Sequence, residues 1–310
     1  MNKQRVLVIG SINMDLLMSI PRFPQAGESV VGHTYNNLPG GKGSNQAVAA
    51  MLQGAEVTFV GKVGNDNNGE ELRAILNKCG MNTEYLYKDD TKRSGLGVVM
   101  IDDTGYNRIV TFTESNTTIT TDELDAAFMK SHDFMILQFE INYDAIFHAC
   151  EKAKSIGLPY VVDAGPAIDF PLEKIVGMEI LSPNETEAEV MCGVRIDSED
   201  SAIKAAKILY SRAKPRYVIQ KLGKDGAMLF DGVNSEFFPA VKVEKVVDTT
   251  AAGDVFTSAL TVQYSLHGDI RKAIRYANVA GALTITKLGA LPSIPTAEET
   301  IAYGKSIAYL

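Results

Sequence analysis

Cysteine and histidine are scarce in this chain, and their scarcity narrows the chemistry before any motif is read. The three cysteines, Cys79, Cys150 and Cys192, are odd in number and widely spaced. With no CxxC pair and no Cys/His cluster, neither a disulfide framework nor a zinc site is supported, and buried reduced thiols are expected. Only four histidines occur in 310 residues, none beside the glycine-rich segments described below. Basic residues are outnumbered, 30 Lys and Arg against 38 Asp and Glu, which gives a net charge of -8. That acidity argues against nucleic acid or an anionic membrane as a partner, while leaving local basic pockets open around Lys42, Lys221 and Lys287. No apolar run approaches membrane-spanning length, and the polar start, Met1 to Arg5, has no signal-peptide pattern, so a cytoplasmic protein is expected. The dinucleotide fingerprint GxGxxG is also missing: after Ile9 the chain reads Gly10-Ser11-Ile12-Asn13. There is no internal repeat or low-complexity tract.

What is present is an ordinary globular composition, 45% hydrophobic and 22% charged, in a pattern of short apolar strands alternating with amphipathic helices. Strands are expected at Val6 to Ile9, Val57 to Val60, Phe134 to Leu137, Tyr160 to Val162, Glu179 to Leu181 and Tyr217 to Gln220, with a hairpin return at Ala227 to Phe230. Helices are expected at Asn45 to Gln53, Gly69 to Lys78, Asp144 to Ile156, Ser201 to Arg212, Val255 to Leu266 and Ile270 to Leu288. This order predicts a three-layer α/β/α sandwich around a mostly parallel sheet. Leu16 to Asn37 and Gly95 to Thr113 break the alternation and read as short antiparallel strands. They suggest one α/β domain, 1–310, carrying a small β-sheet lid of about 14–38 and 94–115 over the C-terminal strand ends, where ligands of open α/β sheets sit.

Two segments carry the chemistry. In Asp248-Thr249-Thr250-Ala251-Ala252-Gly253-Asp254, small residues run into a carboxylate where a helix begins. Bare amides at a helix start suit a phosphate, and Asp254 beside them suits a base that accepts a hydroxyl proton. In Pro39-Gly40-Gly41-Lys42-Gly43-Ser44-Asn45-Gln46, glycines permit close approach of a ligand, and Lys42 and Asn45 offer donors. Each segment alone also fits a turn followed by a helix cap. Asn13 and Asp15 follow the first strand and suit bidentate bonding to a polyol, or plain turn chemistry. Asn184 and Glu187 share one side of a first helical turn, fit either to orient water on a nucleotide-bound Mg2+ or to form a capping box. Lys221-Leu222-Gly223-Lys224-Asp225-Gly226 joins two strands and could admit a nucleotide or simply close a hairpin.

Taken together, in this order and over essentially the whole chain, these segments resemble the two signatures of the ribokinase-like carbohydrate kinase family. The resemblance extends to Asn184-Glu185-Thr186-Glu187 and to the stretch from Lys287 to Ser293. It implies transfer of the ATP γ-phosphate to a sugar hydroxyl, in the ribokinase members the 5-hydroxyl of D-ribose. Carried over by position, Asp254 is the base, and the amides of Ala252, Gly253 and Asp254 form the anion hole. Asn13, Asp15, Gly41, Lys42, Asn45 and Glu140 hold the sugar. Asn184, Glu187, Lys221, Gly223, Gly226, Gly253 and Asn278 line the nucleotide side, with Glu187 reaching Mg2+ through water. Asp248, Thr250, Thr284, Lys287, Gly289 and Ser293 match a monovalent-cation (K+) site, several through carbonyls only. The family commonly dimerises through its lid sheet, so a homodimer is expected.

Three departures stand out: the first places an extra positive charge near the phosphates, and the last two, near the sugar and lid, bear on the substrate more than on the reaction. Lys221 stands where threonine is frequent, Ser94-Gly95-Leu96-Gly97 replaces a Thr-Gly-Val-Ala type of strand, and Glu114-Ser115-Asn116 replaces a Gly-Ala-Asn-like run. Other readings stay open: a deoxyribokinase, fructokinase or adenosine kinase of the same fold, or a non-catalytic sugar-binding regulator. A nicotinamide dehydrogenase is disfavoured by the missing glycine fingerprint.

Overall fold

Two sheets of unequal size organise the chain in the computed structural model, which describes residues 3–310. The strands are β1 (Arg5–Ile9), β2 (Asn13–Ile20), β3 (Thr34–Gly40), β4 (Glu56–Gly64), β5 (Leu86–Asp89), β6 (Gly95–Asp102), β7 (Asn107–Phe112), β8 (Phe134–Gln138), β9 (Tyr160–Asp163), β10 (Ile180–Ser182), β11 (Tyr217–Lys221), β12 (Ala227–Phe230) and β13 (Ser235–Phe238). The helices are α1 (Lys42–Leu52), α2 (Asn67–Lys78), α3 (Thr121–Phe128), α4 (Tyr143–Ser155), α5 (Glu185–Cys192), α6 (Glu199–Ala213), α7 (Ala252–His267), α8 (Ile270–Thr284) and α9 (Ala297–Ser306). The large sheet runs β13-β12-β11-β10-β9-β8-β1-β4-β5, parallel from β11 to β5 and antiparallel at β12 and β13.

The run Val6-Leu7-Val8-Ile9 is apolar throughout because both faces of β1 are covered. Val6 and Val8 enter one core with α1, α7 and α8, while Leu7 and Ile9 enter the other with α4 and α6. All four side chains are fully buried, each contributing about 1.5–3 kcal/mol as an upper figure. The polar residues that end the strands, Asp163 on β9 and Lys221 on β11, lie at the C-terminal edge of this sheet.

The small sheet, β3-β2-β6-β7, rises from the end of β1. Tight turns interrupt both segments: Glu28 N–H donates to Gln25 O at 3.0 Å, and Gly105 N–H to Asp102 O at 2.9 Å. The expected all-antiparallel pairing is corrected at its centre, where β2 and β6 run parallel in register Asn13 with Gly95. Both strands start beside the C-terminal edge of the large sheet and run outward, so their directions agree. Two helix limits also shift. α1 begins at Lys42 rather than Asn45, because Gly41 turns at φ 96° and Ser44 Oγ donates to Gly40 O at 2.7 Å. α8 stops at Thr284 rather than Leu288. The thiols are free, but Cys79, at the C-terminus of α2, is exposed instead of buried.

Candidate active site

The helices α1 and α7 begin at the same place, on the C-terminal edge of the large sheet, and their first turns interlock through hydrogen bonds. Asp254 is buried in the first turn of α7, where its Oδ2 accepts from Asn45 Nδ2 at 2.9 Å and its Oδ1 from Gln46 Nε2 at 3.2 Å. The Lys42 ammonium stands 3.9 Å from Asp254 Oδ1. Burial pushes the Asp254 carboxyl up to about 6; Lys42 and the Asn45 hydrogen bond pull the other way, while Asp163 and Glu140 add to the rise. A carboxylate so placed is ionised at neutral pH yet basic enough to take a proton. Asn45 Oδ1 is buried without a hydrogen-bond partner, an acceptor left open beside Asp254.

α7 starts from Ala251, a non-glycine residue in the left-handed region at φ 62°. That conformation is strained for a residue that carries a Cβ. A helix leaves its first amides without intrahelical acceptors, so Gly253 and Asp254 present N–H groups there. Ala252 N–H is partly engaged, donating to Thr249 O at 3.3 Å.

Glu140 follows β8 and accepts from Ser11 Oγ and, at 3.2 Å, from the Lys42 backbone N–H. Across the site, Asp15 on β2 lies between Gly40 of β3 and Gly97 of β6. A Cβ on either glycine would collide with the Asp15 carboxylate, so the two bare backbones form its cradle. Burial and the Glu140 charge push Asp15 up to about 6, partly offset by a backbone hydrogen bond from Gly97. Asn13 is buried, and its Oδ1 accepts from Asn116 Nδ2 at 2.8 Å; Asn116 Oδ1 accepts from Ile12 N–H at 2.9 Å.

On the other side, Asn184 and Glu187 form the capping box of α5: Asn184 N–H donates to Glu187 Oε2 and Glu187 N–H to Asn184 Oδ1, both at 2.8 Å. Glu187 is nonetheless buried toward the site, where its Oε1 and the Lys42 ammonium both crowd the bare face of Gly165. Burial lifts the Glu187 carboxyl, and Asp163 adds to this, while Lys221 and Lys42 oppose it. Lys42 itself is lowered by burial and raised more by Asp254, Asp163, Glu140 and Glu187. Lys221 donates to Asp163 Oδ2 at 2.8 Å and packs over the open face of Gly253. Gly223 and Gly226, at φ 48° and 105°, shape the turn between β11 and β12.

Two expected groups sit differently from their expected use. Asn278 spends its amide on Phe238 O, Pro239 O and Tyr309 Oη at 3.4, 3.2 and 3.1 Å, so it ties the chain end to β13 rather than facing open space. The loop expected to take a cation is assembled around Asp248, whose Oδ1 accepts from Thr250 N–H at 2.9 Å and Oδ2 from Gly289 N–H at 2.9 Å. The hydroxyls of Thr284 and Ser293 turn to the carbonyls of Ala280 and Ala290, and Lys287 Nζ lies 3.4 Å from Glu299. Those three residues therefore leave carbonyls, not side chains, for a cation.

Sequence reasoning missed Asp163, Gln46, Ser11 and Asn116. Asp163 carried a usable signal, an acid ending an apolar strand at the sheet edge where the site was expected. Gln46 and Ser11 lay inside segments already singled out.

The model of the pfkB family carbohydrate kinases matches residues 3–297. The chain belongs to that family. It is a carbohydrate kinase, a phosphotransferase with an alcohol group as acceptor. It is 34% identical to the ribokinase of Bacillus subtilis over 298 residues, covering 96% of this chain and 98% of that protein. It is 28% identical to the deoxyribokinase of Salmonella typhi, covering 95% and 96%. The structure of Arabidopsis thaliana ribokinase complexed with ribose and ATP superposes with a TM-score of 0.88 at 29% identity, covering 97% of this chain and 98% of that one. No helix among the described residues is long and apolar enough to cross a membrane.

Proposed function

We propose that this carbohydrate kinase is a ribokinase, moving the γ-phosphate of ATP to the 5-hydroxyl of D-ribose to give ribose 5-phosphate. The observation that carries the reading is Asp254, a buried carboxylate poised near neutral pH between the first amides of α7 and the donors of α1. Asp254 takes the proton of the acceptor hydroxyl as the oxygen attacks phosphorus in line. The amides of Gly253 and Asp254, with Ala252 once its bond to Thr249 yields, receive charge on the transferring oxygens. Asp15, Asn13, Glu140, Gly41, Lys42 and Asn45 hold the sugar, and the orphan Oδ1 of Asn45 accepts a sugar hydroxyl. Asn184, Glu187, Lys221, Gly223 and Gly226 face the nucleotide, whereas Asn278 supports that wall from behind.

The residues fit Mg2+ carried in by the nucleotide. Four buried or half-buried carboxylates, Asp254, Asp163, Glu140 and Glu187, surround the ammonium of Lys42, and no group of three or more His, Cys, Asp or Glu among the described residues could hold a metal alone. Glu187 and Asn184 would meet the ion through water, and when bound it neutralises phosphate charge. The Asp248 loop likewise fits a monovalent cation such as K+, held by the Asp248 carboxylate and carbonyls of Thr250, Thr284, Lys287, Gly289 and Ser293. A bound cation there would steady the start of α7.

The small sheet serves as the lid in this reading, covering 14–38 and 94–115. Tyr35, Val110 and Phe112 are exposed on the face opposite Asp15, which supports a homodimer joined through that sheet. A deoxyribokinase is the second reading, favoured by the Salmonella typhi relative. ADP release measured with ATP and ribose, deoxyribose, fructose or nucleosides, with and without potassium, tests all of this. Ribose should give the highest kcat/KM. A higher value for deoxyribose would move the assignment, and no ADP with any sugar would reject it.

A further inference from the structure

Beneath Asp254 lies a second carboxylate that the phosphoryl-transfer scheme does not use. Asp163, at the end of β9, is fully buried, and its Oδ2 accepts from Lys221 Nζ at 2.8 Å, Thr257 Oγ1 at 2.8 Å and Gln46 Nε2 at 3.1 Å. Its Oδ1 accepts from Gly165 N–H at 3.3 Å. The Gln46 amide is fixed in orientation, because its Oε1 accepts from Gln138 Nε2 at 2.5 Å. That leaves both hydrogens of Nε2 for carboxylates, and they go to Asp163 and to Asp254 Oδ1 at 3.2 Å. Thr257 stands one turn along α7 from Asp254, so Asp163 also pins the helix that carries the base.

Lys221 is the other end of this chain of contacts. Its ammonium sits 3.7 Å from the place a Cβ on Gly253 would occupy, and its own methylenes are the next nearest atoms there. The ammonium is therefore held beside Gly253, at the start of α7. A buried lysine held by one carboxylate can keep that partner and still donate its other hydrogens outward.

We propose that Asp163 is a positioning residue for both halves of the reaction: it holds the Lys221 ammonium at the anion hole to contact the transferring phosphoryl group, and through Gln46 it orients the base Asp254. This rests on the kinase reading of the site given above. Lys221 is then a catalytic residue in the strict sense, since it touches the group in flight, while Asp163 and Gln46 act through others. The charges facing Asp254 are Lys42 on α1, Glu140 after β8 and Asp163 on β9.

The test uses the full chain, ATP-Mg2+ and ribose, with ADP release followed from pH 5 to 8. Lys221→Met should lower kcat about 10²-fold, the scale for loss of one donor to a developing oxyanion, with the ribose KM within threefold of wild type. Asp163→Asn should lower kcat and also move the acid limb of the pH profile downward, because one negative charge has left the neighbourhood of Asp254. A residue that served only packing would not move that limb. Since Asp163→Asn leaves Lys221 buried without its partner, Asp163→Asn/Lys221→Met is made alongside. It carries no orphaned charge and should melt cooperatively and stay slow. Wild-type kcat in Lys221→Met, or restored kcat in the double variant, overturns the proposal while leaving the kinase reading intact. An unmoved acid limb in Asp163→Asn overturns the part played through Gln46. Absence of sugar-dependent ADP release by the wild type removes the kinase reading and the proposal together.

Discussion

The two walls of the site hold carboxylates pushed up to about 6, Asp254 and Asp15, yet they are built differently. Asp254 is enclosed by donors: Asn45, Gln46 and Lys42 on α1 all address it, and Asp163 ties the same helices from below. Asp15 has no ammonium within salt-bridge distance among the described residues; it rests on two glycine backbones and is raised by burial and by Glu140. The first wall draws its geometry from many mutually bonded groups in two helices of the main core. The second draws it from the absence of side chains in a small sheet with one face outward. A network of that kind tolerates little change, whereas a cradle can be reshaped by a single methyl. In the proposed reading the chemistry is thus lodged in the first wall and the choice of acceptor in the second.

Breaking the first wall should have the largest effect. Asp254→Asn should lower kcat about 10²–10⁴-fold, the range for a positioned base, with ribose affinity retained in calorimetry. Its stability should move the opposite way. An acid raised in the folded state costs stability above its folded pKa and costs none below its unfolded value near 3.8. At pH 7.5 the asparagine variant should therefore be more stable by about 1–3 kcal/mol in urea unfolding, and the gain should vanish toward pH 4. A destabilised variant at pH 7.5 would show that Asp254 is held by more favourable contacts than its burial costs.

The acid limb of kcat/KM separates the walls. Both carboxylates must be ionised, so activity should fall as pH drops through about 6, with a slope approaching two protons. Asp15→Asn should raise the ribose KM about tenfold or more and leave a one-proton limb. A limb that keeps its two-proton slope in that variant would mean the second proton belongs elsewhere.

Much of this division was readable from residues alone. The alternation of buried runs such as Val6 to Ile9 with amphipathic helices dictates the layered sheet, and the two glycine-rich segments mark where α1 and α7 begin. What could not be read was pairing at a distance. Nothing local tells that Asp163 and Lys221, 58 positions apart, share a hydrogen bond, or that Gln46 rather than only Asn45 reaches Asp254. The parallel run of β2 with β6 was hidden for the same reason: strand direction follows from where each segment enters, not from its composition. Asn278 shows the same limit: it is expected on the nucleotide side, yet its amide nitrogen is committed to backbone carbonyls and Tyr309.

The glycine cradle allows the finest test of the comparison. Gly97→Ala places a methyl where the Asp15 carboxylate now lies, in a strand whose backbone is fixed by β2 on one side and β7 on the other. The backbone cannot retreat without breaking two ladders, so the side chain must turn. Asp15 would then meet the sugar from a shifted position, and the ribose KM should rise about three- to tenfold, less than when the carboxylate is removed. The kcat at saturating sugar should stay within about twofold, because nothing in the Asp254 network touches Gly97. The ratio of deoxyribose to ribose turnover is the sensitive readout, since a displaced Asp15 changes which hydroxyl is gripped. If kcat fell with KM unchanged, the two walls would be one mechanical unit, and the division between chemistry and choice would not hold.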